Sequence, residues 1–172
     1  GIVLVQINMV PHATDKMGAG YATSAALALG FAHGFNAFGR LAMGAISDKI
    51  GTKLSLGICM ILATLMVFWF VFLNSSWMMF SFAILFGFAY GGIMPQTPRL
   101  ASELFGLKSL GSIMGILTVM TSLGPAFGPV VGSAMRDRTG NFDLAFTSAA
   151  AAIAVGLILV LMIKKPQPVM EG

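Results

Sequence analysis

Residues 36–53 read NAFGRLAMGAISDKIGTK, and within them Gly44, Asp48, Lys49, Gly51 and Lys53 form the pattern Gly-x-x-x-Asp-Lys-x-Gly-x-Lys between two long apolar runs. Those runs, Gly20 to Ile46 and Leu54 to Leu73, are each long enough to cross a hydrocarbon core of about 30 Å, which takes about 20 helical residues. The charged stretch therefore reads as a tight turn joining two membrane helices. Gly44 is expected to admit a neighbouring helix and Gly51 to permit the turn. Asp48 is expected to accept hydrogen bonds from a helix N-terminus, and Lys49 and Lys53 to anchor the turn at the membrane surface.

Composition agrees over the whole chain. Of 172 residues, 57% are hydrophobic and 9% charged, with a mean hydropathy of +0.89, whereas soluble domains carry about a quarter charged residues. The net charge is +4, but the basic residues are scattered over the loops rather than clustered, so no nucleic-acid partner is expected. The single cysteine, Cys59, lies inside an apolar run and excludes both an intrachain disulfide and a cysteine-based metal site. No cofactor is indicated.

Charge, Pro, Gly and Asn divide the chain into apolar segments at residues 2–10, 20–46, 54–73, 77–97, 110–135 and 144–163. The expected fold is all-α: a polytopic membrane helix bundle of one partial and five complete spans, with short loops that make sequential helices antiparallel neighbours. Residues 2–10 rise only about 15 Å as helix, so the protein is expected to extend further towards its N-terminus. Residues 98–109, with Leu100, Leu104, Phe105 and Leu107 beside Arg99, Glu103 and Lys108, suit a short amphipathic helix at the membrane surface. Arg40, Lys49, Lys53, Arg99, Lys108, Lys164 and Lys165 fall on one side of the bundle, against Lys16, Arg136 and Arg138 on the other. The positive-inside rule then puts the C-terminus in the cytoplasm, for a multi-pass protein of the plasma or inner membrane. Small residues recur at fourfold spacing at Gly30 and Gly34, Gly87 and Gly91, Gly111 and Gly115, and Gly124, Gly128 and Gly132. Such strips allow close helix approach. The Gly124-Pro125 and Gly128-Pro129 pairs, with Pro95 and Pro98, offer points of bending.

Arg40 stands out because it lies eight residues before Asp48, about 12 Å inside the boundary. An arginine at that depth costs about 3 kcal/mol on an insertion scale and marks a site by default. Snorkelling to the surface is the competing explanation. Asn36 and His33 share its helical face and complete a polar stripe. A guanidinium matches a carboxylate bidentately, Asn36 can add a hydrogen bond, and histidine is the residue type that exchanges protons near neutrality. Tyr90, Gln96, Thr118, Thr121 and Ser122 are polar positions within spans that can line the same cavity or bond their own backbone. His12 falls in a loop and carries no comparable argument.

The pattern Gly44-x-x-x-Asp48-Lys49-x-Gly51-x-Lys53 resembles the signature loop of the major facilitator superfamily. Asn36-x-x-Gly39-Arg40-x-x-x-Gly44-x-x-Ser47-Asp48 resembles the eighth helix of its monocarboxylate carrier and oxalate/formate antiporter branch. Gly87-Phe88-Ala89-Tyr90-Gly91-Gly92, Glu103-Leu104-Phe105-Gly106, Gly128-Pro129 and Asp137-x-Thr139-Gly140 extend the likeness over nearly the whole chain. The resemblance implies the C-terminal six-helix half of a transporter whose N-terminal half is missing here. It implies a carboxylate on Arg40, and a gating role for Gly44, Asp48, Lys49, Gly51 and Lys53. Two departures matter. Proton-coupled animal carriers have aspartate where this chain has Asn36, which leaves His33 as the candidate for a coupled proton. The oxalate antiporter has a lysine in its eleventh helix, near Thr121 here, and this chain has no Lys or Arg between Lys108 and Arg136.

The expected function is secondary active transport of a small organic anion, foremost a monocarboxylate, with Arg40, Asn36, His33, Tyr90 and Thr121 at the substrate. Oxalate/formate exchange, nitrate or drug transport, and a non-transporting scaffold or receptor stay open. No paired carboxylates, His-metal set or nucleophile elbow lies within a span, so an enzyme is not expected.

Overall fold

The computed structural model describes residues 2–106, 110–140 and 142–163. Leu107, Lys108, Lys164 and Lys165, used above, lie outside the described residues. Six α-helices account for nearly all of the rest: α1 (Ile2–Met17), α2 (Ala22–Ile50), α3 (Thr52–Val71), α4 (Ser76–Phe105), α5 (Leu110–Thr139) and α6 (Asp143–Met162), with a 3₁₀ turn at Ala19–Tyr21. Among the described residues, α3, α4, α5 and α6 are long and apolar enough to cross a bilayer. At 29 residues α2 is as long, but the polar groups of His33, Asn36 and Arg40 dilute its hydropathy at mid-helix.

Several boundaries differ from expectation, each for a local reason. α1 does not end at Val10. It passes through Pro11 to Met17, because the turn after the proline is held by the fully buried His12 and Ala13. Of the stretch read as a surface amphipathic helix, residues 98–105 are the last turns of α4. Membrane helices tolerate proline when neighbouring groups steady the freed turn. Here the buried Gln96, Leu100 and Ala101 do so, and Thr97 Oγ1 donates to the Ile93 carbonyl at 3.1 Å. α5 likewise runs through both Gly-Pro pairs to Thr139. The turn between α2 and α3 is a single residue: Gly51, at φ 89 and ψ 149, a conformation that is essentially glycine's alone. Its N–H closes α2 on the Ser47 carbonyl at 2.9 Å, and its own carbonyl accepts from the Ser55 N–H at 3.1 Å.

Sequential helices are not the main neighbours. α2 packs most extensively on α4, and α3 fills the space between α4 and α6, while α2 and α3 touch little. The single-residue turn keeps their ends together and lets them splay. α1 joins α2, α5 and α6. An aromatic core occupies the end of the bundle away from Gly51, where Phe70 stacks on Phe82 at 4.0 Å and Phe82 on Phe86 at 4.9 Å. Such ring pairs contribute about 0.5–1.5 kcal/mol each.

Lipid tails are as apolar as a protein core, so burial alone does not hold these helices together; close packing does. The closest packing is at the α2–α4 crossing. A methyl group added to Gly87 or Gly91 would collide with the backbone carbonyls of Ala32 or Asn36, and one added to Gly39 with that of Phe88. Contacts of this kind bring Cα–H groups against carbonyl oxygens, worth about 0.5–1 kcal/mol each. Of the other strips, Gly132 meets the Asn8 side chain, while Gly30, Gly34, Gly111 and Gly115 face open space within this chain.

Gly91→Ala is expected to lower stability by about 1–3 kcal/mol, because backbone must move to admit the methyl. Gly34→Ala, which meets nothing, should be neutral or slightly stabilising. Thermal unfolding of the two variants in detergent, side by side, checks both.

Candidate functional site

Arg40 lies on α2 with the helix continuing unbroken to Ile50, a rise of about 15 Å. Its Nε donates to Asn36 Oδ1 at 3.1 Å. Asn36 is itself buried, at 6% exposure, with its backbone held against Gly91 of α4. The crossing thus fixes Asn36, and Asn36 fixes one edge of the guanidinium. Asn36 Nδ2 is buried without a hydrogen-bond partner among the described residues. None of the ion pairs among the described residues includes Arg40, and the residue is exposed on the face of α2 that this chain leaves open. His33 is exposed one helical stretch further along. The stripe therefore straddles an edge, with Asn36 turned into the α4 contact and His33 and Arg40 outside it.

Tyr90 precedes Gly91, whose Cα packs on Asn36 in the same crossing. It also lines a cavity of about 520 Å³ bounded by α3, α4, α5 and α6, together with Thr118 and Thr121. The structure so brings Tyr90 and Thr121 to one cavity, and Arg40 and Asn36 to its neighbourhood. The threonines are bonded to their own helix: Thr118 to the Met114 carbonyl at 2.7 Å and Thr121 to that of Thr118 at 3.0 Å. Ser122 also bonds Thr118 O, at 2.8 Å. Gln96 points elsewhere. It donates to Ser55 Oγ at 2.8 Å and ties α4 to α3.

The turn residues gather a second cluster. Asp48 does not cap a helix N-terminus as expected; it pairs with Arg99 Nη2 of α4. Arg99 Nη1 also donates to Ser47 Oγ at 2.9 Å, and its Nε lies 4.0 Å from Glu103, which accepts from Thr52 Oγ1. Lys53 reaches α6 and donates to the carbonyls of Leu161, at 2.7 Å, and Ile163. There a cation complements the exposed end of a helix. Lys49 is exposed. Gly44, expected to admit a helix, has nothing of this chain within 4 Å of where its Cβ would stand; the close approach is at Gly39 instead. Sequence reasoning missed Arg99 as the hub of this cluster. The available signal was an arginine four residues before Glu103 at the end of an apolar run.

The opposite end carries a third cluster, also missed. Arg136 clasps Asp15 through Nε and Nη2 at 2.8 and 2.9 Å and lies 5.3 Å over the Phe142 ring. Lys16 pairs with Asp143 at 2.9 Å. His12, expected in a loop, is fully buried beneath them, with Nε2 3.2 Å from the Phe70 carbonyl and its ring 4.5 Å from that of Phe146. It serves packing.

A family model described as the Major Facilitator Superfamily matches residues 3–171. The chain belongs to the Major Facilitator Superfamily. It is an integral membrane helix bundle of this superfamily, a family of transporters rather than enzymes. The chain is 28% identical over 123 residues to the aspyridones efflux protein apdF of Emericella nidulans, covering 71% of this chain and 25% of that protein. It is 29% identical over 134 residues to monocarboxylate transporter 7 of Homo sapiens, covering 74% and 25%. With monocarboxylate transporter 11 of Homo sapiens it shares 25% identity over 177 residues, covering 98% and 37%. The chain thus spans from a quarter to somewhat more than a third of the length of these superfamily relatives. The resemblance drawn from residues 36–53 is borne out at the level of the superfamily, with monocarboxylate transporters among the relatives.

The Arg99–Asp48 pair is 42% and 61% exposed, a setting in which ion pairs contribute about 0–1 kcal/mol. Asp48→Asn should therefore cost less than about 1 kcal/mol. Arg99→Met, which leaves Ser47, Asp48 and Glu103 without their shared donor, should cost about 1–2 kcal/mol. Denaturation midpoints of the two variants, compared at low and high salt, check this order.

Proposed function

We propose that this chain is the C-terminal half of a secondary carrier that moves a small organic anion, foremost a monocarboxylate, by alternating access. The observation that carries the reading is Arg40: a guanidinium about 15 Å from the end of its helix, anchored through Nε by Asn36 and outside every ion pair among the described residues. An arginine at membrane depth without a carboxylate partner is costly. A substrate carboxylate lying across Nη1 and Nη2 supplies the missing charge with two parallel hydrogen bonds. Asn36 Nδ2, buried and without a partner among the described residues, belongs to the residue that anchors Arg40.

The names of relatives support the substrate class in part, since two are called monocarboxylate transporters and one an efflux protein. The remainder of a full-length carrier would supply the opposite wall of the site, the two halves rocking about it. In this reading the Asp48, Gly51, Lys53 and Arg99 cluster holds the bundle end that faces the cytoplasm, with the C-terminus on the same side, and gates it. With asparagine at position 36, His33 is the group on this helix able to carry a coupled proton.

Uptake of radiolabelled lactate, pyruvate, formate and oxalate into vesicles containing the full-length protein tests the reading. Wild type should take up a monocarboxylate, and Arg40→Lys, which keeps the charge but loses the planar fork, should reduce uptake about tenfold or more. Unchanged uptake in Arg40→Lys contradicts the carboxylate role. Failure to take up any acid by folded protein removes the substrate class and favours export of another compound.

If a proton is coupled through His33, an inward proton gradient speeds uptake in wild type and not in His33→Gln. A gradient response that survives His33→Gln places the proton elsewhere.

A further inference from the structure

The cavity beside Tyr90 has a chemistry that the carboxylate site does not use. Its volume is about 520 Å³, within the range of pockets that take drug-sized ligands, about 300–1,000 Å³. Formate or lactate bound at Arg40 would leave it empty. Four methionines line it, Met60, Met94, Met114 and Met120, with Leu117 and Ile153 among the rest, and no charged residue does. Methionine is the side chain best able to repack around varied apolar shapes and to contact aromatic rings through sulfur. The hydroxyls of Thr97, Thr118 and Thr121 on its wall already donate to carbonyls of their own helices, at 3.1, 2.7 and 3.0 Å. They offer a ligand little polar competition. A second carboxylate would meet no cation there.

Tyr90 belongs to both regions. It lines the cavity and stands next to Gly91, which packs on Asn36, the residue that accepts from Arg40 Nε. The arrangement is a deformable apolar chamber one residue along α4 from the contact that holds Asn36 and, through it, the Arg40 guanidinium.

From this arrangement we infer that the preferred substrate is an amphipathic monocarboxylate, its carboxylate on Arg40 and a branched or aromatic group in the methionine-lined cavity. The inference rests on the carboxylate reading of Arg40. It narrows the substrate class from small hydrophilic acids to acids such as isovalerate or phenylpyruvate.

The test is uptake kinetics of lactate, isovalerate and phenylpyruvate in vesicles containing the full-length protein, for wild type, Arg40→Lys and Ala152→Phe. Ala152 lies on the α6 wall of the cavity, and a phenyl group there reduces its volume. A well-placed apolar group is worth about tenfold or more in selectivity. Wild type should therefore show a KM for phenylpyruvate and isovalerate at least about tenfold below that for lactate. Ala152→Phe should raise the phenylpyruvate KM about tenfold while leaving lactate within about twofold. Arg40→Lys should reduce uptake of all three acids about tenfold or more. Equal KM values in wild type, with uptake of all three acids reduced in Arg40→Lys, overturn the cavity assignment and leave the Arg40 reading standing. Uptake that ignores Arg40→Lys overturns the Arg40 reading and this inference with it. The wild-type comparison decides the matter even if Ala152→Phe does not fold.

Discussion

The crossing of α2 and α4, backbone against backbone at Gly39, Gly87 and Gly91, is the contact on which the candidate site depends. In a bilayer no hydrophobic force presses two helices together, so a site needs close-packed surfaces to hold its geometry. Three glycines remove the side chains that would separate α2 from α4. The gain is positional: Asn36 is pinned by its own carbonyl against Gly91, and Arg40 takes its orientation from Asn36. Tyr90 is placed beside them by the same contact. The Arg40 guanidinium is thus held by elements that cannot shift independently.

Polar ties concentrate at the two ends of the bundle. At one end, Asp48, Arg99, Glu103, Thr52 and Lys53 join α2, α3, α4 and α6; at the other, Asp15, Arg136, Lys16 and Asp143 join α1, α5 and α6. Those pairs are mostly half-exposed, and exposed ion pairs add little to stability. Between them, α5 packs sparsely on its neighbours and leaves the methionine-lined cavity beside Tyr90.

Much of this was legible in the sequence, and the exceptions are instructive. Apolar run lengths located all six helices. Asn36, read as sharing the Arg40 face one turn earlier, accepts from the Arg40 Nε itself, a bond the sequence reading did not foresee. Helix ends were misjudged wherever proline stood near a boundary, as at Pro11 and Pro98, since the buried side chains that hold a helix through proline belong to tertiary structure. Gly44 and Gly39 are alike in sequence, four and nine residues ahead of Asp48, yet of the two only Gly39 meets a neighbour; which face of α2 meets α4 is not written in local spacing. Arg99 was read as a surface residue because its partner lies 51 positions away. Asp15 and Arg136 are separated by 121, and no local pattern links them.

The central claim is that Arg40 carries a substrate carboxylate at the edge of this crossing. Difference infrared spectroscopy of the full-length protein with a ¹³C-carboxylate acid measures that contact directly. Binding through a guanidinium fork should shift the carboxylate stretch in wild type, and the shift should vanish in Arg40→Gln. The same shift in both proteins, or none in a wild type that demonstrably binds the acid, would contradict the account.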